Sequence, residues 1–174
     1  MNLAGIQITI EKTAVSTFGV MVLGLTGLTH AMSLITGDGQ ARSVLSVGVV
    51  AVAAASFHFV AQFVHLLGHA LAAWATGYPT TGMVFLYGFA MSQYPTDEPP
   101  LPDRTHIQRS LGGVMAFGVL LGTVIVLWLG ARTAPQWMLR YLTTFMLMDV
   151  GVLFVVSSVL SDGVLFVLRK EWRR

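Results

Sequence analysis

The sequence contains no cysteine. That excludes a disulfide framework and any thiolate metal site. It is also poor in charge. Only 10% of its 174 residues are Asp, Glu, Lys or Arg, where a soluble domain carries about 25%. None of these occurs from 43 to 96, and no glutamate lies between Glu11 and Glu98. Ten basic and eight acidic residues leave a net charge of +2. The pI of about 9.3 therefore reflects few charges rather than a basic patch, and nucleic acid is not an expected partner. No internal repeat is visible.

Apolar residues fill the space. They make up 55% of the chain, with a mean hydropathy of +0.72. A membrane crossing needs roughly 20 apolar residues. Four stretches qualify: 14–35, 44–75, 110–131 and 141–168. The first is longer than a signal-peptide core and follows Glu11 and Lys12, so a cleaved leader is not expected. The second is too long for a straight crossing and must tilt, kink or emerge early. Gly77, Tyr78 and Pro79 punctuate its end. Residues 80–94, "TTGMVFLYGFAMSQY", are apolar, β-prone and broken by glycine. They predict short interfacial strands or a re-entrant hairpin, covered by protein or lying at the interface. Residues 95–106 form a proline-rich, charged loop. The expected fold class is an all-α polytopic membrane protein with four transmembrane helices and a short membrane-associated β segment between the second and third.

Orientation follows from Lys and Arg. One side of a four-span arrangement holds Lys12, Arg104, Arg109, Arg169, Lys170, Arg173 and Arg174; the other holds Arg42, Arg132 and Arg140. Seven against three places both termini in the cytoplasm, and the expected location is a prokaryotic plasma (inner) membrane. The terminal "RKEWRR" reads as an anchor whose stems snorkel to the headgroups of the lipid bilayer. Trp74, Trp128, Trp137 and Trp172 fall near span ends, as an interfacial aromatic belt does. The nine methionines read as packing filler, and His106 as a solvated loop residue.

Chemistry concentrates in the second and fourth spans. His65 and His69 stand at i and i+4, which puts both imidazoles on one helix face at the spacing one zinc ion needs. His58 lies seven residues earlier on nearly the same stripe. Spacing alone leaves two readings open: a metal site, or neutral polar contacts between helices. Asp162, in "LSDG", lies roughly 10 Å from the cytoplasmic edge of the fourth span, and His69 roughly 12 Å from the same edge of the second. Two histidines and a carboxylate at matching depth make a known catalytic zinc set, with the fourth position open to water. Asp149 is about 20 Å along the helix from Asp162 and is expected to pair with a polar or basic group nearer the outer face, Arg140 being one candidate.

The stretch "HLLGHALAAW", 65–74, resembles the zinc helix of the site-2 protease family of intramembrane metalloproteases. "GYPTTGMVFLYGF" is similar to the turn and membrane-side strands that follow it there, and "LSDG", 160–163, to the family's Leu-Asp-Gly motif. "IQRSLGGVMAFGVLLG", 107–122, stands where that family often has Ala-Gly-Pro; this chain has Gly112, Gly113 and Val114. The resemblance covers roughly 55–168. It implies His65, His69 and Asp162 as metal ligands and zinc as the cofactor. It also exposes a gap: Leu66 stands where the family has its catalytic glutamate. Losing a general base typically costs about 10²–10⁴-fold in rate. The expectation is a catalytically inactive relative, a pseudoprotease with no catalytic residue of its own. It would act as a binding or scaffold subunit for other transmembrane proteins in a membrane complex. Small residues suited to helix packing support that role: Gly19, Gly24 and Gly27 on the first span, and Gly112, Gly113, Gly118 and Gly122 on the third.

Two alternatives remain at this stage. One is an active zinc protease with an unusual base. The other is a pigment- or haem-binding subunit in which His58, His65 or His69 offers an axial nitrogen. A transporter is disfavoured by the short spans and the few intramembrane charges.

Overall fold

The computed structural model describes residues 2–3, 5–35 and 43–160. Asp162 and the "LSDG" motif lie outside the described residues. Two short strands, β1 (Asn2–Leu3) and β2 (Ile6–Ile10), lead into α1 (Lys12–Ile35) and α2 (Val44–Ala75). The hairpin β3 (Gly82–Leu86) and β4 (Phe89–Gln93) follows, and α3 (Asp103–Ala131) and α4 (Trp137–Leu160) complete the bundle. All four helices are long and apolar enough to cross a membrane. The chain is thus an all-α polytopic membrane protein with a small sheet beside the bundle.

The hairpin lies where the β-prone segment after the second span predicts it. The sheet it joins is larger than expected. Its order is β1-β2-β3-β4, and β2 pairs with β3 in parallel. "IQITI" at 6–10 alternates and is rich in β-branched residues, which suits a strand. Its partner, however, is more than 70 residues away, across α1 and α2. The loop after the hairpin is also shorter than expected. Helix α3 starts at Asp103, with Pro102 as N-cap residue and the Asp103 carboxylate in its first turn, where the helix dipole favours negative charge. His106 consequently lies on α3 and is half-buried.

Helix α2 is the axis of the molecule. Its 32 residues span roughly 48 Å, well beyond a bilayer core. The side chain of Ser43 caps its start by accepting from Ser46 N at 3.2 Å. Its end is a Schellman turn: Gly77 has φ 79°, Tyr78 N donates to Ala73 O at 3.1 Å and Gly77 N to Trp74 O at 3.0 Å. One face packs with Ala14, Met83 and Phe85 around Leu66 and Ala70. Another packs Ala61 with Phe117, Val124, Val150 and Leu153 of α3 and α4.

The turn of the hairpin, Tyr87–Gly88, is strained. Tyr87 has φ 50°, a left-handed conformation costing a non-glycine residue about 1–2 kcal/mol. Side chains from two helices hold it. Tyr87 N donates to Thr13 Oγ1 at 3.2 Å, and the Gly88 carbonyl accepts from Gln62 Nε2 at 3.3 Å.

Helices α2 and α3 meet backbone to backbone. A Cβ on Gly68 would overlap the Gly112 carbonyl oxygen, and a Cβ on Gly112 would overlap the Gly68 carbonyl oxygen. Gly118 and Gly122, by contrast, are not at a close crossing: a Cβ on Gly118 would make an ordinary 3.5 Å contact with Phe154, and one on Gly122 would meet nothing within 4 Å. The same open space surrounds Gly19, Gly24 and Gly27 of α1. Gly68→Ala and Gly112→Ala are each expected to destabilise the bundle by about 1–3 kcal/mol, read as a lower thermal midpoint in detergent. Gly122→Ala should leave the midpoint unchanged or raise it. Equal tolerance at all three positions would contradict the crossing described.

Candidate functional site

The i, i+4 spacing does bring the two histidines of α2 together. His65 Nε2 and His69 Nε2 lie 3.0 Å apart, with the rings edge to face and centroids 4.5 Å apart. Their surroundings come from α3. The His65 ring stacks on Phe117 at 4.3 Å between centroids. His69 Nδ1 lies 2.8 Å from the backbone carbonyl of Arg109. Gly113 leaves room for both rings, since a Cβ there would overlap His69 Nε2 and crowd His65 Cε1 at 2.5 Å. The helix crossing therefore also builds the site.

The hydrogen bonds assign the protons. A carbonyl oxygen only accepts, so His69 Nδ1 carries its N–H and Nε2 presents a lone pair. That is the arrangement of a metal-ligating histidine, whose other nitrogen is held by a backbone carbonyl. Two nitrogens bound to one tetrahedral zinc at about 2.0–2.1 Å are roughly 3.3 Å apart, close to the 3.0 Å here. With His69 Nε2 as the acceptor, the 3.0 Å contact is a donation from His65 Nε2–H, which leaves His65 Nδ1 buried without a hydrogen-bond partner. His69 thus fits a zinc ligand as it stands, whereas His65 would have to carry its proton on Nδ1 to offer Nε2. Among the described residues no group of three His, Cys, Asp or Glu converges on a metal position, and the third candidate ligand, Asp162, lies outside them.

The pair opens into a cavity of about 310 Å³. Gln62 and Leu66 of α2 line it, β4 forms one wall from Phe89 to Ser92, and Leu153, Val156 and Ser157 of α4 form another. Tyr94 closes one end. Above its ring, at 3.6 Å, lies the guanidinium of Arg109, whose Nη1 donates to both oxygens of Glu98 at 2.9 and 3.0 Å. Glu98 does not line the cavity and is committed to that ion pair.

Leu66 is 1% exposed and belongs to the apolar cluster with Ala14, Ala70, Met83 and Phe85. It also lines the cavity beside His65 and His69, where its side chain presents hydrocarbon and no proton-carrying group.

His58 lies away from the pair, with both ring nitrogens engaged. Nδ1 is 2.8 Å from Asp149 Oδ1 of α4, and Nε2 is 2.8 Å from the Gly88 carbonyl. To ligate an iron or magnesium it would have to release one of these bonds. Asp149 thus has a polar partner, as the sequence leads one to expect, but it is His58 and not Arg140. Arg140 precedes Asp149 by nine residues on α4, about 13 Å along the axis and on the opposite face. Pattern reading also missed the Arg109 carbonyl, because a backbone acceptor leaves no residue-type signal.

Of the comparisons with known proteins, one bears on the fold. No protein-family model matches the sequence, and no curated relative matches it. The solved structure of "Site-2 Protease from Methanocaldococcus jannaschii" superposes with a TM-score of 0.59 at 16% identity, over 98% of this chain and 70% of that one. The architecture is therefore site-2 protease-like.

Leu66→Ala is expected to cost about 2–5 kcal/mol of stability, whereas Leu71→Ala, at a residue 66% exposed, should be near neutral. Comparable thermal midpoints for the two variants would show that Leu66 is not a core residue.

Proposed function

We propose that this protein is a non-hydrolysing membrane protein of site-2 protease-like fold. It holds a segment of another transmembrane protein in the cavity beside His65 and His69, as a subunit of a membrane complex. The observation that carries this reading is Leu66. The position beside the first histidine, where the resemblance expects the proton-transferring glutamate, is occupied by an apolar side chain that lines the cavity and packs into the core. No step of peptide hydrolysis has its base there.

The cavity supports the binding half of the reading. At about 310 Å³ it is within the range of ligand sites. Its β4 wall is the edge of the sheet, and an edge strand offers backbone donors and acceptors to an extended segment. Phe89 and Met91 stand out from that edge, 63% and 59% exposed.

Zinc belongs to this proposal as a structural ion. His65 and His69 would hold it through Nε2, with Asp162 as the third ligand. When bound it would supply a Lewis acid that draws a carbonyl oxygen of the held segment. The Arg109 carbonyl fixes the His69 tautomer, Phe117 fixes the His65 ring, and Gly113 keeps the space. The Lys and Arg distribution supports cytoplasmic termini, and the proposed location is a prokaryotic plasma membrane.

Two measurements test the proposal. Elemental analysis of the purified chain should give one zinc, lost in the His65→Ala/His69→Ala double variant; no metal in either sample removes zinc from the account. A photo-crosslinking residue at Ser157, in the cavity, should trap an intact membrane protein, and one at Val126, 68% exposed on the outer face of α3, should not. Equal trapping at both positions, or none at Ser157, would overturn the binding role.

A further inference from the structure

His58 and Asp149 form a second polar centre, within the bundle and outside the cavity. His58 is 8% exposed. Its Nδ1 lies 2.8 Å from Asp149 Oδ1 and its Nε2 lies 2.8 Å from the Gly88 carbonyl. The second carboxylate oxygen, Asp149 Oδ2, is buried without a hydrogen-bond partner. The groups around the imidazole come from each neighbouring element. Asp149 comes from α4 and the Gly88 carbonyl from the hairpin. Gln62 and Phe59 come from α2, and Thr17 from α1 lies beside Gly88. Of these, only Asp149 and His58 itself titrate.

The number of protons follows from the acceptors. The Gly88 oxygen accepts only, so holding it requires a hydrogen on Nε2. The contact between Nδ1 and Oδ1 then needs one further proton, on the ring or on the carboxyl. With that proton the pair is neutral overall, and both 2.8 Å bonds are made. Without it the pair carries one negative charge and one N–H for two acceptors. Either Nδ1 turns its lone pair to the carboxylate, or Nε2 turns its lone pair to the Gly88 carbonyl. One bond must break.

The Gly88 bond matters because of what it restrains. It holds the Tyr87–Gly88 turn, in which Tyr87 is left-handed at φ 50°. That turn carries β4, the wall of the histidine cavity from Phe89 to Ser92. On the same helix as Asp149, one and two turns further on, Leu153 and Val156 line the opposite wall.

We propose that His58 and Asp149 are a proton-binding site inside the bundle, and that its single bound proton holds the β3–β4 turn against α2 and so keeps the cavity wall closed. Release of the proton to solvent as pH rises frees the turn and loosens β4. This centre is separate from the histidine pair, and it operates whatever the cavity holds.

The absence of cysteine gives a clean test. Ser92 lines the cavity and its Oγ is buried, so Ser92→Cys places one thiol on the closed wall. Its rate of modification by a small maleimide would be followed in detergent as pH is raised from about 6 to about 9, spanning the usual histidine range. The same thiol in an Asp149→Asn background is the reference at each pH, which cancels the titration of the thiol itself. An asparagine amide donates to Nδ1 while Nε2–H keeps Gly88, so Asp149→Asn holds the latch closed without a titrating proton. Modification in the parent should match that variant at low pH and exceed it several-fold at high pH. His58→Ala, which removes the Nε2–H held by the Gly88 carbonyl, should label fast throughout, with thermal melting confirming that it folds. A parent-to-Asn ratio that stays flat with pH would overturn proton control. Slow labelling of His58→Ala, or fast labelling of Asp149→Asn at low pH, would overturn the latch.

Discussion

The structure depends on the contact between α2 and α3 at Gly68 and Gly112. Each glycine faces the other's carbonyl oxygen, at a distance that admits no Cβ. Apolar burial does not drive helices together within lipid as it does in water, so close packing of this kind carries the association. The crossing also sets the chemistry. It brings the Arg109 carbonyl to His69 Nδ1, Phe117 to the face of His65, and Gly113 to the gap in front of both rings. Move α3 outward and the two imidazoles lose their tautomer and their orientation together.

A single turn of α2 has two unlike jobs because its two faces look at different partners. His65 and His69 look at α3 and the cavity. Leu66 lines the same cavity and packs behind it with Ala14, Met83 and Phe85. The histidines keep their supporting contacts, while the neighbouring position offers the cavity only hydrocarbon. That combination supports retention of a bound segment rather than its hydrolysis. A site-2 protease-like architecture, shared at 16% identity with a solved structure, fits this division, since the fold persists where individual side chains have changed.

Much of this was legible in the sequence, and the reasons differ by element. The spans are readable because hydrocarbon thickness sets their length, and the end of α2 because Gly77 supplies the left-handed residue of its cap. The β3–β4 hairpin shows in the apolar, glycine-broken run at 82–93. The strand at Ile6–Ile10 has a local pattern, but its parallel partner lies beyond two helices, and pairing across such a distance leaves no local mark. The pair of imidazoles follows from helical periodicity. The His58–Asp149 contact does not, since it depends on how α2 and α4 rotate about their own axes. The Gly112–Gly113 step was visible as a packing feature, whereas which glycines make the close crossing needed the helix register.

The most direct test of the account is a cleavage assay on the zinc-loaded protein in detergent, with a panel of fluorogenic transmembrane peptides and the His65→Ala variant as control. The account predicts no cleavage above that control. Cleavage by the parent that is lost in His65→Ala would contradict it, and would mean that a group other than residue 66 supplies the base.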